Sequence, residues 1–311
     1  MRYTKIPKTD ITLSAVGLGC EPLGGTDWGR VDRDDAVSTV RAAWENSIVV
    51  FDTADAYGLG ESELRLAEAL GSARHDAVIV SKFGVRWRKT ANTRAVTWKD
   101  VTPKYAVAAL EASLDRLRVE RIPIYLIHWP NDDTPIEETL GALEQQRLAG
   151  KIGVYGVSNF SAAQLSDAVQ AGGRVAELPL NLLSRDAEPD ISFCGEHDVS
   201  VLAYGPYAQG LLCGRYSRVS RFEENDRRHR LPHFAEAAWD ANEVLLERLK
   251  VLANQHGVKE AQVALQWVMS HPSVTCALVG ARNRQQLQDT LSLFAGDPSH
   301  SSVQNWDGRG L

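Results

Sequence analysis

The sequence has 311 residues, of which 44% are apolar and 24% charged, and its formal net charge is −6 at pH 7. This composition is typical of a globular protein, and the small negative charge argues against a nucleic-acid partner. No run reaches the ~20 apolar residues that a membrane-spanning helix needs, so we expect no membrane association. The cysteines lack metal-ligand spacing, which favours a cytoplasmic protein without disulfides or a metal site. They are Cys20, Cys194, Cys213 and Cys276.

Short apolar runs bounded by turn residues recur along the chain and alternate with helical patterns. None of the runs alternates cleanly between apolar and polar residues, as expected for strands that are covered on both faces of a parallel sheet. The helical patterns include 34–46, 103–119, 162–172 and 261–271. The strand-like runs are 13–19, 48–54, 77–84, 124–130, 152–159, 175–183, 199–206 and 274–281.

Eight strands that alternate with helices predict an α/β protein with a closed (β/α)8 TIM barrel, while a doubly wound open sheet is the alternative. Residues 1–12 precede the first run and are predicted to form a β-hairpin that closes one end of the barrel, with Thr9 and Asp10 in its turn. The segments 84–102 and 214–240 are predicted to be long loops at the barrel mouth. No linker-like break divides the sequence, so we expect one domain over residues 1–311.

Polar side chains stand at the ends of the predicted strands, and in a TIM barrel these ends meet at the mouth that carries the active site. Asp52 and Lys82 end neighbouring strands and are expected to form an ion pair, because charged groups are rarely buried alone. The polar and glycine residues at the ends of the predicted strands are Asp52, Lys82, His128, Ser158, Asn159, Asn181, Tyr204 and 280–282.

Four of the polar residues near the predicted mouth suit the protonation of a carbonyl oxygen. An ammonium such as that of Lys82 lowers the pKa of a nearby phenol, here Tyr57, and a carboxylate such as Asp52 keeps the ammonium charged and oriented. A neutral His128 can donate a hydrogen bond to the same carbonyl oxygen. No side chain supplies hydride, so the pattern favours a nicotinamide cofactor as its source.

The sequence resembles the aldo-keto reductase family over nearly its entire length. The resemblance rests on "VGLGC.PLGG", "FDTADAYGLGESE", "VSKFG", "LIHWP", "GKIGVYGVSNFS", "NLLSR", "AYGPYAQGLLCGRY", "QVALQW" and "LVGAR", which follow one another in the family's order. It implies a (β/α)8 barrel that reduces aldehydes or ketones with NADPH. It also implies a catalytic tetrad made of Asp52, Tyr57, Lys82 and His128.

The resemblance further implies a set of cofactor contacts. Ser158 and Asn159 match the pair that holds the nicotinamide carboxamide, and Tyr204 matches the aromatic residue that stacks on the ring. Arg282 is the expected partner of the 2′-phosphate, because a guanidinium binds phosphate in a bidentate manner. The pyrophosphate segment corresponds to Gly205, Pro206, Tyr207, Gln209, Gly210 and Arg215, and the adenosine-phosphate segment to Gly280, Ala281, Arg282 and Gln286.

The sequence departs from the family pattern at three cofactor positions. The family often has glutamine on the sixth strand, where this chain has Glu177, and a carboxylate cannot donate a hydrogen bond unless it is protonated. Near the end of the family pattern an adenine-contacting Glu–Asn pair is replaced by Asp289 and Thr290. These three residues therefore receive no assigned contact.

The substrate side of the predicted mouth is rich in indole rings. Trp28, Trp87 and Trp129 follow the first, third and fourth strands and are expected to wall the substrate pocket. The arginine-rich segment 214–230 also contains acidic residues and is expected to be a solvated loop, with Arg215 as the exception.

The predicted function is NADPH-dependent reduction of a small-molecule aldehyde or ketone, with Tyr57 as the general acid. Two alternatives use the same residues: an NAD(P)-dependent dehydrogenase of a sugar or alcohol, and a slow NADPH-sensing subunit that binds a protein partner. The substrate, the direction of the reaction and the oligomeric state do not follow from the sequence.

Overall fold

The computed structural model describes residues 1–25, 28, 31–89, 95–224 and 226–294. Its strands are β1 Tyr3–Lys5, β2 Thr12–Ser14, β3 Val16–Gly19, β4 Val50–Asp52, β5 Val78–Phe83, β6 Val85–Arg88, β7 Val96–Lys99, β8 Ile122–Ile127, β9 Ile152–Ser158, β10 Val175–Pro179, β11 Ser200–Tyr204 and β12 Val274–Gly280. Eight of them, β3, β4, β5, β8, β9, β10, β11 and β12, are parallel to their neighbours and close into a barrel in chain order. The predicted TIM barrel is confirmed, and the open-sheet alternative is wrong.

The described helices are α1 Arg33–Glu45, α2 Glu61–Leu70, α3 Pro103–Leu117, α4 Ile136–Leu148, α5 Ala162–Gln170, α6 Glu188–Glu196, α7 Trp239–His256, α8 Glu260–Ser270 and α9 Arg284–Leu291. Local capping explains several starts. Asp32 accepts hydrogen bonds from two amides of the first turn of α1, and Thr102 accepts one from Tyr105 before α3. None of the described helices has the length and hydropathy that would let it cross a bilayer.

The N-terminal residues form the expected hairpin, in which β1 and β2 pair in antiparallel fashion from Tyr3–Ser14 to Lys5–Thr12. Ile6 and Leu13 are fully buried and pack with barrel residues such as Val50 and Val80, so the hairpin closes the end of the barrel opposite the mouth. The predicted strand 13–19 is divided at Ala15, because its first part belongs to the hairpin and its second part to the barrel.

Alternation along the barrel strands positions the site. In β4, Val50 packs inside the barrel, Phe51 packs outward against the helices, and Asp52 returns to the inside at the mouth. In β5, Val80 lies inside and Lys82, two residues later, also points inward. The same two-residue period that builds the core therefore brings both charged side chains to the mouth.

The two predicted mouth loops have different outcomes. The segment 84–102 contains β6 and β7, which pair in antiparallel fashion, and its residues 90–94 lie outside the described part. The segment 214–240 contains three short 3-10 turns, and α7 already begins at Trp239. Only the second segment therefore matches the prediction of an irregular loop.

Candidate active site

Asp52 and Lys82 form the centre of the site, where β4 and β5 lie side by side. The Lys82 Nζ is 2.5 Å from Asp52 Oδ1 and donates a further hydrogen bond of 3.1 Å to the Thr53 carbonyl oxygen. The predicted ion pair is confirmed. The same Nζ lies 3.4 Å from the Tyr57 hydroxyl, so the ammonium is placed between the carboxylate and the phenol.

Tyr57 is held by close packing of two turns at the mouth. A Cβ added to Gly58, whose φ is +59°, would lie 2.3 Å from the Gly24 carbonyl oxygen, so both positions require glycine. Ser62 lies in the first turn of α2, which begins at Glu61. Its hydroxyl donates to the Cys20 carbonyl and pairs with the Thr53 hydroxyl, which ties the start of α2 to the ends of β3 and β4.

His128 completes the four predicted catalytic residues at the end of β8. Its backbone amide donates a 2.8 Å hydrogen bond to the Phe83 carbonyl, and its ring meets the Tyr57 ring edge-on at 5.6 Å between centroids. Burial, assisted by the Lys82 charge, holds the pKa of His128 well below its ordinary value, so the imidazole is neutral. A neutral ring can donate a hydrogen bond to a carbonyl oxygen.

The electrostatics of Tyr57 differ from the expectation. Burial raises the pKa of Tyr57 well above its ordinary value, and the Lys82 ammonium only partly opposes this. Burial alone would lower the pKa of Lys82, but the Asp52 carboxylate, with the Glu177 carboxyl group as a further contribution, outweighs it and keeps the lysine charged. Tyr57 is therefore a protonated donor at neutral pH, which suits a general acid.

Glu177 is a second carboxylate at the same lysine. Its Oε2 lies 3.2 Å from Lys82 Nζ, and its side chain is as deeply buried as that of Asp52. The sequence identified Glu177 as a departure from the family pattern but did not predict this contact. Distant strands carry the two residues, so nothing in the local sequence indicates that they meet.

A cavity of about 420 Å³ opens over these residues. Four of the predicted site residues do not line it: Lys82 and Ser158 are fully buried, Ala281 is nearly so, and Trp87 lies half-buried on β6. The predicted residues that line the cavity are Asp52, Tyr57, His128, Asn159, Tyr204, Gly205, Pro206, Tyr207, Gln209, Gly210, Arg215, Gly280, Arg282, Gln286, Trp28 and Trp129.

Asn159 connects three strand ends across the mouth. Its amide nitrogen donates to the His128 carbonyl oxygen at 2.9 Å, and its amide oxygen accepts a 2.7 Å hydrogen bond from the Tyr204 hydroxyl. Asn159 has a φ of +64°, a conformation that asparagine tolerates better than most residues. The contacts fix the Tyr204 ring at the edge of the cavity.

The residues after β11 and β12 form the other end of the cavity. Asp289 pairs with Arg215 at 2.9 Å and with Lys259 at 2.6 Å, and the Tyr207 hydroxyl meets the Thr290 hydroxyl at 2.8 Å. Asp289 and Thr290, which the sequence left unassigned, thus hold the segment after β11 against α9.

The arginine-rich loop contributes residues that the sequence did not predict. Arg228 is buried, pairs with Asp226 and lies over the rings of Tyr216 and Phe222, so the expectation of a solvated loop is wrong there. The alternation of arginines with aromatic residues in this segment is the signal that could have indicated such stacking.

Arg227 joins the same loop to the opposite side of the cavity. Its guanidinium lies 5.3 Å from the Trp28 ring centroid and pairs with Glu21. Arg282 donates a 3.1 Å hydrogen bond to the Trp28 carbonyl oxygen. The cavity therefore has acid–base groups at one end and several cationic groups along its rim.

The cavity fits a dinucleotide in two respects. Trp28, which lines it, has a buried indole Nε1 without a hydrogen-bond partner among the described residues. The rim supplies guanidinium groups from Arg215 and Arg282 for phosphates, while a Cβ at Gly280 would meet open space.

Comparisons with known proteins agree with this geometry. The sequence model of the Aldo/keto reductase family matches residues 15–308. The aldo-keto reductase YhdN of Bacillus subtilis is 33% identical over 310 residues, which cover 98% of this chain and 92% of that protein.

Two solved structures share the fold. The glycerol dehydrogenase AKR11B4 of Gluconobacter oxydans superimposes with a TM-score of 0.86 at 34% identity, covering 94% of this chain and 90% of the other. The holo form of the aldo-keto reductase AKR11C1 of Bacillus halodurans gives a TM-score of 0.80 at 25% identity, with 98% and 95% coverage.

Proposed function

Since the chain belongs to the aldo-keto reductase family and is thus a nicotinamide-dependent oxidoreductase, we propose that it reduces aldehydes or ketones with NADPH and uses Tyr57 as general acid. The observation that carries the proposal is the position of the Lys82 Nζ, 2.5 Å from Asp52 and 3.4 Å from the Tyr57 hydroxyl. A structural ion pair would need only the contact between Lys82 and Asp52. The additional contact with the Tyr57 hydroxyl, at the wall of the cavity, supports a role in proton transfer.

The substrate oxygen is held by Tyr57 and His128, which both face the cavity. Bound NADPH supplies the hydride that reduces the carbonyl carbon. Tyr57 gives its proton to the carbonyl oxygen, which becomes the alcohol hydroxyl. The Lys82 charge stabilises the phenolate that Tyr57 leaves behind, and the neutral His128 orients the oxygen.

For cofactor binding we assign the residues that line the cavity and their neighbours. Ser158 and Asn159 hold the carboxamide, Tyr204 stacks on the ring, and Arg282 binds the 2′-phosphate. Trp28 and Trp129 line the substrate side, with Trp129 40% exposed at the mouth. Trp87 is not part of this assignment, because it does not line the cavity.

The test of the proposal is the Tyr57→Phe variant. We expect turnover to fall by at least the factor of about 10²–10⁴ that a general acid contributes, and NADPH binding to remain as in the wild type. Turnover is measured as NADPH oxidation with a panel of aldehydes and ketones, and NADPH binding is measured by fluorescence titration.

Tyr155→Phe is the matched control, because the Tyr155 hydroxyl donates to the Ala171 carbonyl oxygen at the closed end of the barrel. It removes the same atom and should leave turnover unchanged. Full activity of Tyr57→Phe would contradict the general-acid role. A wild type that binds NADPH tightly but turns over no substrate in either direction would favour the sensing subunit.

The oxidative direction is a second candidate, supported by the similarity to a glycerol dehydrogenase. The same residues act in reverse when Tyr57 accepts the alcohol proton. Assays with NADP+ or NAD+ and a panel of polyols, sugars and simple alcohols distinguish the directions, because the preferred one has the higher kcat/KM at its own substrate.

A further inference from the structure

Glu177 brings a second acidic group to the Lys82 ammonium at the wall of the cavity. It lies on β10 with 4% of its side chain exposed, opposite Ser158 of β9 and Leu202 of β11. Together with Asp52 it faces a single ammonium, that of Lys82, at 3.2 and 2.5 Å. Two buried carboxylates cannot both be neutralised by one cation, so the pair retains one proton.

Burial, together with the negative charge of Asp52, raises the pKa of Glu177 to about 8. The pKa of Asp52 is also raised by burial, but Lys82 opposes this at shorter range. The proton of the pair is therefore assigned to Glu177, and it is lost just above neutral pH.

The other groups around Glu177 do not titrate near neutral pH. Burial raises the pKa of Tyr57 and Cys276, raises that of Tyr204 to about 12, and lowers that of His128. Lys82 stays charged. Between pH 6 and 9 the carboxyl pair is thus the titrating unit among the described groups that face Glu177.

The reacting nicotinamide must lie close to this pair. The substrate oxygen is bound at the Tyr57 hydroxyl, which is 3.4 Å from the same Nζ that Glu177 contacts. Glu177 itself lines the cavity. The nicotinamide ring is a cation when oxidised and neutral when reduced. A carboxylate beside it stabilises the cation, whereas a carboxylic acid does not.

We propose that Glu177 distinguishes the redox states of the cofactor: the site binds the reduced ring with a carboxylic acid at Glu177, and the oxidised ring with a carboxylate. Binding of the oxidised form then releases the Glu177 proton to solvent. This inference rests on the proposed cofactor and deepens its role, because it makes the carboxyl pair a sensor of the ring's charge.

The consequence is a pH-dependent preference between the two forms. Below pH 8 the oxidised form must displace a proton, so its affinity rises with pH by up to about tenfold per unit and levels off above pH 8. Binding of the reduced form releases no proton below pH 8, so its affinity is constant in that range. Above pH 8 Glu177 must take up a proton before the reduced form binds, and its affinity therefore falls.

The experiment is titration of NADP+ and NADPH from pH 6.5 to 9 by fluorescence and calorimetry, with wild type and Glu177→Gln. The ratio of the two dissociation constants is used, because titration of the 2′-phosphate affects both forms and cancels. We expect the ratio to change about tenfold or more in the wild type and to stay constant in Glu177→Gln. Calorimetry of the wild type in two buffers should show proton release on NADP+ binding only.

Asp289→Asn is the matched control, since Asp289 lines the same cavity and its pKa is held below its ordinary value by Lys259. This variant should keep the pH dependence of the ratio. A ratio of dissociation constants that does not change with pH in the wild type would overturn this inference but not the proposed function. The same holds if Glu177→Gln shows the same pH dependence as the wild type. Failure of both cofactor forms to bind would overturn the proposed function as well.

Discussion

The Lys82 ammonium is fully buried and stays charged because several oxygen atoms surround it. Asp52, Glu177, the Thr53 carbonyl and the Tyr57 hydroxyl all lie within 3.4 Å of its Nζ. Each contact lowers the free-energy cost of burying the ammonium, which is why Lys82 remains charged in the barrel interior. In the proposed mechanism the Tyr57 phenol gives its proton to the substrate, and the other groups act through Lys82 on that phenol.

Arg282 is the residue on which the choice between NADPH and NADH is expected to depend. One of its nitrogens is held by the Trp28 carbonyl, which orients the guanidinium beside the cavity. We expect Arg282→Ala to weaken NADPH binding by about tenfold or more, through loss of charge-assisted hydrogen bonds, and to affect NADH little. Fluorescence titration with both cofactors measures the difference.

Arg284→Ala supplies the control for that experiment. Arg284 lies two residues further on, is 57% exposed and makes a distant ion pair of 3.8 Å with Glu45 on α1. Its removal takes away the same charge but no contact at the cavity. If Arg282→Ala weakens both cofactors equally, the assignment of the 2′-phosphate to Arg282 is wrong.

At the scale of elements, the position of Tyr57 depends on the contact between two turns rather than on its own strand. The 3-10 turns Glu21–Gly24 and Tyr57–Gly60 approach so closely that their backbones touch at Gly24 and Gly58. This contact leaves no room for a side chain on either side.

We therefore expect Gly58→Ala to displace Tyr57 and reduce kcat by about 10²-fold, because small misplacements of a reacting group are costly. Steady-state kinetics measures the loss, and circular dichroism verifies that the variant folds. Gly71→Ala is the control: Gly71 also has a positive φ, of +56°, but a Cβ there meets no atom within 4 Å. Equal loss of kcat in both variants would show that backbone strain, not the collision, is responsible.

At the scale of the whole molecule, the two ends of the barrel have separate tasks. The N-terminal hairpin inserts Ile6 and Leu13 into the barrel interior at one end, while the cavity lies at the other. The apolar packing at the closed end is thereby separated in space from the charged residues at the mouth. TIM barrels generally show this division.

Leu13→Ala tests the division. Removing a fully buried leucine should lower the free energy of unfolding by about 2–5 kcal/mol and leave kcat unchanged, since the cavity is remote. Chemical denaturation and steady-state kinetics give the two values. Leu148→Ala, at a position 66% exposed on α4, should change the free energy of unfolding by less than about 0.5 kcal/mol. A large change in kcat of folded Leu13→Ala would contradict the separation of the two ends.

Much of the site follows from the sequence by itself. Apolar runs and helical patterns alternate along the chain, so the barrel and the placement of Asp52, Lys82 and His128 at strand ends are local properties of the sequence. The Asp52–Lys82 ion pair also follows, because neighbouring strands of a barrel must bring their ends together. The residues that bind cofactor remain predictions, although most of them line one cavity.

Only the tertiary structure decided the features that depend on distant contacts. Glu177 meets Lys82 because barrel closure brings β10 across from β5, and no local pattern encodes that distance. Arg227 is half-buried because Trp28 and Glu21, about 200 residues away in the sequence, receive its guanidinium. The sequence therefore determined which groups are present at the mouth. Packing determined how burial sets their charge, because desolvation exists only once the chain has folded.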